Sequence, residues 1–356
     1  MFLIKYILVA LGGLLLPCAG LGTITEKIVF ETETPSDPPF IQPPHVRLQF
    51  SLDAAGTDLT STTPTRFFVD TGSTGIVHPA SRLSLRDIET KTPAHLYLSS
   101  SHILYVGVWV DRYVWFDRGG PHEIKSHVPV LAVQHKFEKC TSYTSGDTCP
   151  GGVETVDNDI NIMGIGIGRT YDGQDQSTPD KNVLLNIVSI RGSAVAAPDY
   201  SPGWIIDKTG LTIGLTLANW TPFSSRVVYL PLPSSGGGGP AHLREYGEIP
   251  GTYAVATIGG PVACSILVDT GIDYSSMRSH DALPAGFPRD STTHKLADGN
   301  HVIVSFGSGA SWSGPVETWE VGDWGVPPKN CDITPCYVNV HYDSARGSFV
   351  NTGRRK

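Results

Sequence analysis

Charged residues are scarce in this sequence: Asp, Glu, Lys and Arg make up 17% of its 356 residues. Acidic residues outnumber basic ones by 34 to 26, and basic residues cluster only in the last three positions, Arg354 to Lys356. Binding to nucleic acid usually needs a basic face, so nucleic acid is not an expected partner. Pairs of His or Cys at metal-ligand spacing are also missing, and we expect no metal site and no cofactor.

Long apolar runs are missing after the N-terminus. Lys5 precedes an apolar stretch that ends at Leu16, and small residues follow up to Gly22. This order is typical of a secretory signal peptide over residues 1–22. The stretch is shorter than the roughly 20 apolar residues that cross a bilayer as a helix. We therefore expect a secreted, extracellular chain without a membrane span.

Cysteine is also scarce, and five of the six cysteines follow the predicted signal peptide. In an oxidising compartment the natural short-loop disulfides are Cys140 with Cys149 and Cys331 with Cys336, which leaves Cys264 over. Spacing alone does not fix this pairing. Asn219 begins an Asn-Trp-Thr sequon and is a candidate for N-glycosylation, although a proline follows the sequon.

Glycine and proline are plentiful, with 39 and 27 residues, and short strand-like segments separated by turn residues recur along the chain. Only residues 182–190 have the pattern and flanking signals of a helix. The chain is longer than a single core usually supports, and the glycine-rich run at 234–240 is typical of a linker. We predict an all-β protein with one lobe at residues 23–233 and a second at 234–356.

An apolar strand ending in Val-Asp-Thr-Gly occurs once on each side of this linker, with Asp70 and Asp269 as the aspartates. Glycine after each threonine permits a backbone that a Cβ would forbid. Two such loops facing each other would bring two carboxylates together, and like charges that close share one proton and can activate a water molecule. The supporting residues are Thr71, Gly72 and Ser73 in the first loop and Thr270 and Gly271 in the second.

These motifs resemble those of pepsin-like aspartic proteases over residues 46–277. Residues 162–166, Ile-Met-Gly-Ile-Gly, are similar to the apolar-apolar-Gly segment that crosses behind the first catalytic loop in that family. Trp109-Val110 and residues 214–216 resemble a divergent secreted branch of fungal type. The resemblance implies two β-barrel-like lobes with a cleft between them, and an endopeptidase that binds a polypeptide in the cleft and activates water with Asp70 and Asp269. We expect a monomer.

Two single residues depart from the family pattern. Ile272 follows the second motif where Ser73 follows the first, so Asp269 lacks one hydroxyl donor and should be the less easily ionised carboxyl. The family's flap hairpin carries a tyrosine, for which Tyr97 is the candidate. The tryptophan that commonly bonds to this tyrosine is replaced by Val77.

The C-terminal end departs further. Residues 349–353 are a candidate for the second crossing strand, which would leave the C-terminal lobe short of its last strands. Alternatively, residues 337–342 and 348–350 are themselves the closing strands. These departures keep a second hypothesis open, in which the chain is a pepsin-fold binding or inhibitor-like protein that has little or no turnover.

Overall fold

The protein is represented by a computed structural model. It describes residues 22–31, 43–84, 92–99 and 101–220 except 142, 144, 156–158, 173 and 208. Beyond these it describes residues 249–255, 261–271, 275–279, 301–306, 310–315, 319–323, 336–341 and 349–351.

Almost all regular structure in these residues is β-strand, which confirms the all-β prediction. There is one four-residue helix, α1 (Leu217–Trp220), and no helix in the described ranges is long and apolar enough to cross a membrane. Short 3₁₀ turns lie at Ala80–Arg82, Arg169–Asp172 and Pro179–Lys181. In chain order the strands are β1 (Glu26–Val29), β2 (His45–Ser51), β3 (Thr65–Asp70), β4 (Thr74–Pro79), β5 (Pro93–Leu98), β6 (Ile103–Phe116), β7 (Ile124–Glu138), β8 (Val153–Thr155), β9 (Ile162–Ile165), β10 (Ile187–Ile190), β11 (Ser193–Ala194), β12 (Trp204–Asp207), β13 (Gly210–Ile213), β14 (Ile249–Val255), β15 (Val262–Asp269), β16 (Ser275–Ser279), β17 (His301–Phe306), β18 (Ala310–Pro315), β19 (Trp319–Asp323), β20 (Cys336–His341) and β21 (Phe349–Asn351).

Six strands of the N-terminal half close into a barrel. The pairing runs from β7 through β4, β9, β3, β2 and β6 and returns to β7. Alternation along β2 and β3 sends every second side chain inward, as expected for strands with one buried face. Leu48, Phe50, Phe67 and Val69 are each at most 2% exposed in the resulting core. The barrel-like lobe that the resemblance implies is therefore present in this half.

The C-terminal half forms a separate seven-stranded sheet in the order β18-β17-β14-β15-β20-β16-β19. Its centre repeats the local topology of the barrel. In the barrel β9 lies between β3, which is parallel to it, and β4, which is antiparallel; in the second sheet β20 lies in the same way between β15 and β16. Each half therefore contains a strand that ends in an Asp-Thr-Gly loop and a crossing strand beside it.

The second crossing strand corrects one prediction from the sequence. It is β20, with the alternating sequence Tyr-Val-Asn-Val, and the described residues of the predicted segment, 349–351, do not belong to it. Residues 349–351 instead form β21, which pairs with β12. Together with β1 and β13 these strands build a four-stranded sheet in the order β1-β13-β12-β21, so segments from near both ends of the chain meet in one sheet.

The prediction of a helix at residues 182–190 is wrong. Asn182 donates from its side-chain amide to the Ile165 carbonyl at 3.0 Å and accepts the Leu184 N–H at 3.0 Å, and such local bonds compete with helix formation. The following residues form β10, which pairs with β7. Long-range strand pairing thus overrides the local helical pattern.

Candidate active site

The two Asp-Thr-Gly loops lie at the ends of β3 and β15 and are hydrogen-bonded to each other. The Thr71 hydroxyl donates to the Val268 carbonyl at 2.6 Å, and the Thr270 hydroxyl donates to the Val69 carbonyl at 2.7 Å. Each hydroxyl also accepts the backbone N–H of the other threonine, at 3.0 and 3.1 Å. Four crosswise hydrogen bonds therefore hold the loops together, and each threonine braces the opposite half of the chain.

Asp70 and Asp269 meet between the loops and are 5% and 4% exposed. The glycines after the threonines make this approach possible. A Cβ on Gly72 would lie 2.5 Å from Oδ2 of Asp269, and a Cβ on Gly271 would overlap Oδ1 of Asp70. Any larger residue at either position would displace the carboxyl of the other loop. Each carboxyl therefore lies against the glycine of the other loop.

Asp70 accepts two hydrogen bonds from its own loop. The Gly72 N–H donates to its Oδ1 at 2.6 Å, and the Ser73 hydroxyl donates to its Oδ2 at 2.5 Å. Burial and the nearby Asp269 carboxylate raise the pKa of Asp70 from 3.8 to about 7, against these two hydrogen bonds, which lower it. A pair this close titrates as a unit, so the site as a whole carries one proton over a wide range of pH.

Asp269 has the same backbone donor, because the Gly271 N–H donates to its Oδ1 at 2.7 Å. Ile272 lies outside the described residues, so the predicted effect of its missing hydroxyl on the second loop stays a prediction. The crossing strands differ as well. In the register of β20, His341 pairs with Asp269, at the position that Gly164 of β9 holds beside Asp70.

Two further residues contact the first loop and were not identified from the sequence. The side chains of Arg169 and Gln174 both donate to the Gly72 carbonyl, each at 2.9 Å. They follow the crossing strand β9, but nothing in their local sequence marks them as neighbours of an Asp-Thr-Gly loop. Only the fold brings them there.

Tyr97, the flap candidate, lies on β5 in the hairpin formed with β6. Its hydroxyl donates to the Cys140 carbonyl at 2.7 Å, and its ring packs against Tyr143 with the ring centroids 4.8 Å apart. These contacts tie the hairpin to the loop that follows β7. The role of Tyr97 as a flap residue stays a prediction.

The disulfide predicted between Cys140 and Cys149 is present. Cys331 lies outside the described residues, so its predicted bond to Cys336 stays a prediction. The side chain of Asn219 is engaged within the fold, since its Nδ2 donates to the Gly214 carbonyl at 2.8 Å and to Thr25 Oγ1 at 3.2 Å. N-glycosylation replaces one of the two Nδ2 hydrogens and would break one of these bonds.

The chemistry open to this site is acid–base chemistry. Two buried carboxyls that hold one proton can accept a proton and donate another at the same time. In the part of the chain that the structure describes, no group of three or more His, Cys, Asp or Glu side chains is placed to hold a metal ion.

No protein-family model and no curated protein matches the chain. Among solved structures, it is similar to the crystal structure of basic 7S globulin from soybean. The match covers 92% of this chain and 96% of that chain, with 10% sequence identity and a TM-score of 0.42. A likeness of this degree carries no argument about the site, whose chemistry follows from the contacts given above.

Proposed function

We propose that the protein is an aspartic endopeptidase that hydrolyses peptide bonds with a water molecule activated between Asp70 and Asp269. The observation that carries this proposal is the crosswise set of hydrogen bonds between the two threonine loops, which presents two buried carboxyls to each other. An arrangement that buries two acids in contact costs stability, because at least one of them must stay protonated. Such a cost is expected at a site that uses the shared proton.

In the proposed reaction the ionised carboxyl takes a proton from the water while the water oxygen attacks the carbonyl carbon of the peptide. The protonated carboxyl donates its proton to the carbonyl oxygen, which gives a neutral tetrahedral diol. The carbon–nitrogen bond then breaks as the leaving amine takes a proton from the pair, and the second carboxyl recovers the proton of the diol. The enzyme returns to its starting state without a covalent intermediate.

We further propose that the protein is secreted and acts as a monomer on extended polypeptide segments bound between its two halves. The Cys140–Cys149 disulfide supports secretion, because such bonds persist in oxidising compartments. Peptide substrate is supported by the two-loop geometry, in which each half of the chain contributes one carboxyl to the same site.

The test is hydrolysis of a denatured protein substrate across acidic and neutral pH, with and without a statine-type inhibitor. We expect cleavage by the wild-type protein that is blocked by the inhibitor and is lost in Asp70→Asn and in Asp269→Asn. Circular dichroism of both variants provides the control for folding. Cleavage that survives either substitution contradicts the assignment of the pair.

A second candidate function is peptide binding without turnover. It is favoured by Ile272, which removes a hydroxyl donor from the second loop, and by His341, which replaces glycine in the crossing strand. A folded protein that binds the statine-type inhibitor but cleaves no substrate at any pH would favour this function. A protein that does neither would contradict both candidates.

A further inference from the structure

The carbonyl oxygen of Gly72, in the middle of the first loop, accepts hydrogen bonds from two buried side chains. Arg169 donates from Nε and Gln174 from Nε2, each at 2.9 Å. The two residues are only 2% and 3% exposed. A backbone carbonyl that receives two side-chain donors, one of them charged, is held more firmly than one that receives a single peptide N–H.

The donors reach this carbonyl because the chain after β9 passes directly behind the loop. The Gly166 N–H donates to the Ser73 carbonyl at 2.7 Å. A Cβ on Gly166 would lie 2.5 Å from the Thr71 carbonyl oxygen and 3.0 Å from Cδ of Arg169. The absence of a side chain at Gly166 therefore lets the aliphatic part of Arg169 lie against the crossing segment and its guanidinium reach Gly72.

The Gly72 carbonyl lies next to the two groups of the loop that donate hydrogen bonds to Asp70. It belongs to the peptide that joins Gly72 to Ser73, and these two residues supply the hydrogen bonds to Asp70 from the loop. The peptide lies between the two donors, the Gly72 N–H before it and the Ser73 hydroxyl after it, so a displacement of this peptide changes the position of both donors relative to the carboxyl. Both donors lower the pKa of Asp70, so weaker donors would raise it. The titratable group that faces Asp70 is Asp269, and its charge acts in the same direction as burial.

Burial of a guanidinium costs free energy that an apolar side chain of similar volume would not require. The cost at this position is increased by Gln174, whose Oε1 is buried without a hydrogen-bond partner among the described residues. This arrangement lowers the stability of the fold, and it lies against the candidate catalytic loop. We therefore expect it to serve the site.

We infer that Arg169, assisted by Gln174, is a positioning residue that fixes the Gly72–Ser73 peptide and thereby the orientation of Asp70. This inference rests on the proposed function of the Asp pair and deepens it. Arg169 does not touch the reacting atoms and acts through the loop.

The test compares Arg169→Met, Arg169→Lys and Gln174→Leu with the wild-type protein in three measurements: kcat, KM and the pH dependence of kcat/KM. Misplacement of a catalytic group by about 1 Å can lower a rate roughly a hundred-fold. We expect Arg169→Met to lower kcat by up to this factor, to leave KM little changed, and to move the alkaline limb of the pH profile, where the pair loses its shared proton, to higher pH. Lysine should restore part of the rate, because its ammonium group can donate one bond. Gln174→Leu should have the smaller effect.

Arg112→Met is the matched control, because Arg112 is 1% exposed and donates to the Asp111 carbonyl at 2.7 Å on β6. It should lower the melting temperature without moving the pH profile. Equal pH profiles for Arg169→Met and the wild type would overturn the inference while leaving the proposed function intact. If Arg169→Met does not fold, Gln174→Leu decides in the same way, because it removes the second donor to the Gly72 carbonyl.

Turnover is not required for the test. If the wild type binds a statine-type inhibitor without cleaving substrate, the pH dependence of inhibitor binding replaces that of kcat/KM, and Arg169→Met should again shift it. A wild-type protein that neither cleaves nor binds overturns the proposed function, and the inference about Arg169 is then overturned with it.

Discussion

The loops at Asp70 and Asp269 share one sequence and one set of crosswise hydrogen bonds, but they differ in what surrounds them. The first loop has a hydroxyl donor in Ser73 and a glycine, Gly164, beside it in the crossing strand. The second loop has Ile272 after its glycine, and His341 beside it in the crossing strand. The contact that joins the loops is therefore symmetric, whereas the support of each carboxyl is not.

This difference separates two requirements of a site made from two halves of a chain. Bringing the carboxyls together depends on threonine and glycine, and these are present in both loops. The affinity of each carboxyl for a proton depends on donors outside the motif, such as the Ser73 hydroxyl at Asp70. Substitutions in the two loops can test the two requirements separately.

The largest effect is expected from the aspartates themselves. Asp70→Asn and Asp269→Asn should each abolish hydrolysis, by a factor on the order of 10⁴ or more, because neither carboxyl can act alone. Equal losses of kcat/KM would show that both carboxyls are required, although the two loops differ. The measurement is kcat/KM on a denatured protein substrate.

Asp70→Asn should also change stability. The pKa of Asp70 in the folded protein, about 7, lies above its unfolded value of 3.8, so ionisation destabilises the fold as pH rises from about 4 to 7. Asparagine removes this cost. We expect the variant to be more stable than the wild type at pH 8, by up to a few kcal/mol, and to lose this advantage near pH 4. Urea unfolding at both pH values tests this, and an advantage that does not depend on pH would contradict it.

The threonines should behave alike in the two loops. Thr71→Val and Thr270→Val each remove two crosswise hydrogen bonds and leave a buried N–H and a buried carbonyl without partners. Each substitution should lower the free energy of unfolding by about 2 to 6 kcal/mol, since each of the two buried groups left unsatisfied costs roughly 1 to 3 kcal/mol. A large difference between the unfolding free energies of the two variants would contradict the symmetry that the contacts indicate.

The residues after the two glycines should behave differently. Ser73→Ala removes a donor that lowers the pKa of Asp70, so the alkaline limb of the pH–rate profile, where the shared proton is lost, should move up by roughly one pH unit. Ile272→Thr should add a donor to the second loop and shift the pH–rate profile as well. An unchanged profile in Ile272→Thr would contradict the predicted asymmetry of the carboxyls.

The smallest effect concerns a titratable group outside both loops and serves as a control for acid stability. Burial lowers the pKa of His78 from 6.5 to about 4, so the fold loses stability as pH falls from about 6.5 to 4. His78→Gln should reduce this loss without moving the pH–rate profile of the surviving activity. Unfolding free energies at pH 4 and pH 7 test the first part, and an equal loss in both proteins would contradict it.

The sequence was sufficient to predict the all-β class, the Cys140–Cys149 disulfide and the proximity of Asp70 to Asp269. These features depend on a repeated motif or on short loops, and both are visible in a single chain. The helix predicted at residues 182–190 was wrong because pairing of β10 with β7 outweighs a local pattern. The position of β20 and the contacts of Arg169 depend on long crossovers, and no local residue pattern encodes where such a crossover returns.

The most direct test of the shared proton is calorimetric titration of the protein with a statine-type inhibitor in buffers of different ionisation enthalpy. The hydroxyl of such an inhibitor binds a pair that carries one proton. Because burial and the nearby Asp269 raise the pKa of Asp70, inhibitor binding at pH 8 should take up a proton, and binding at pH 5.5 should take up much less. The uptake should disappear in Asp70→Asn. Inhibitor binding that takes up no proton at pH 8, or the same uptake in Asp70→Asn, would contradict a proton shared by Asp70 and Asp269.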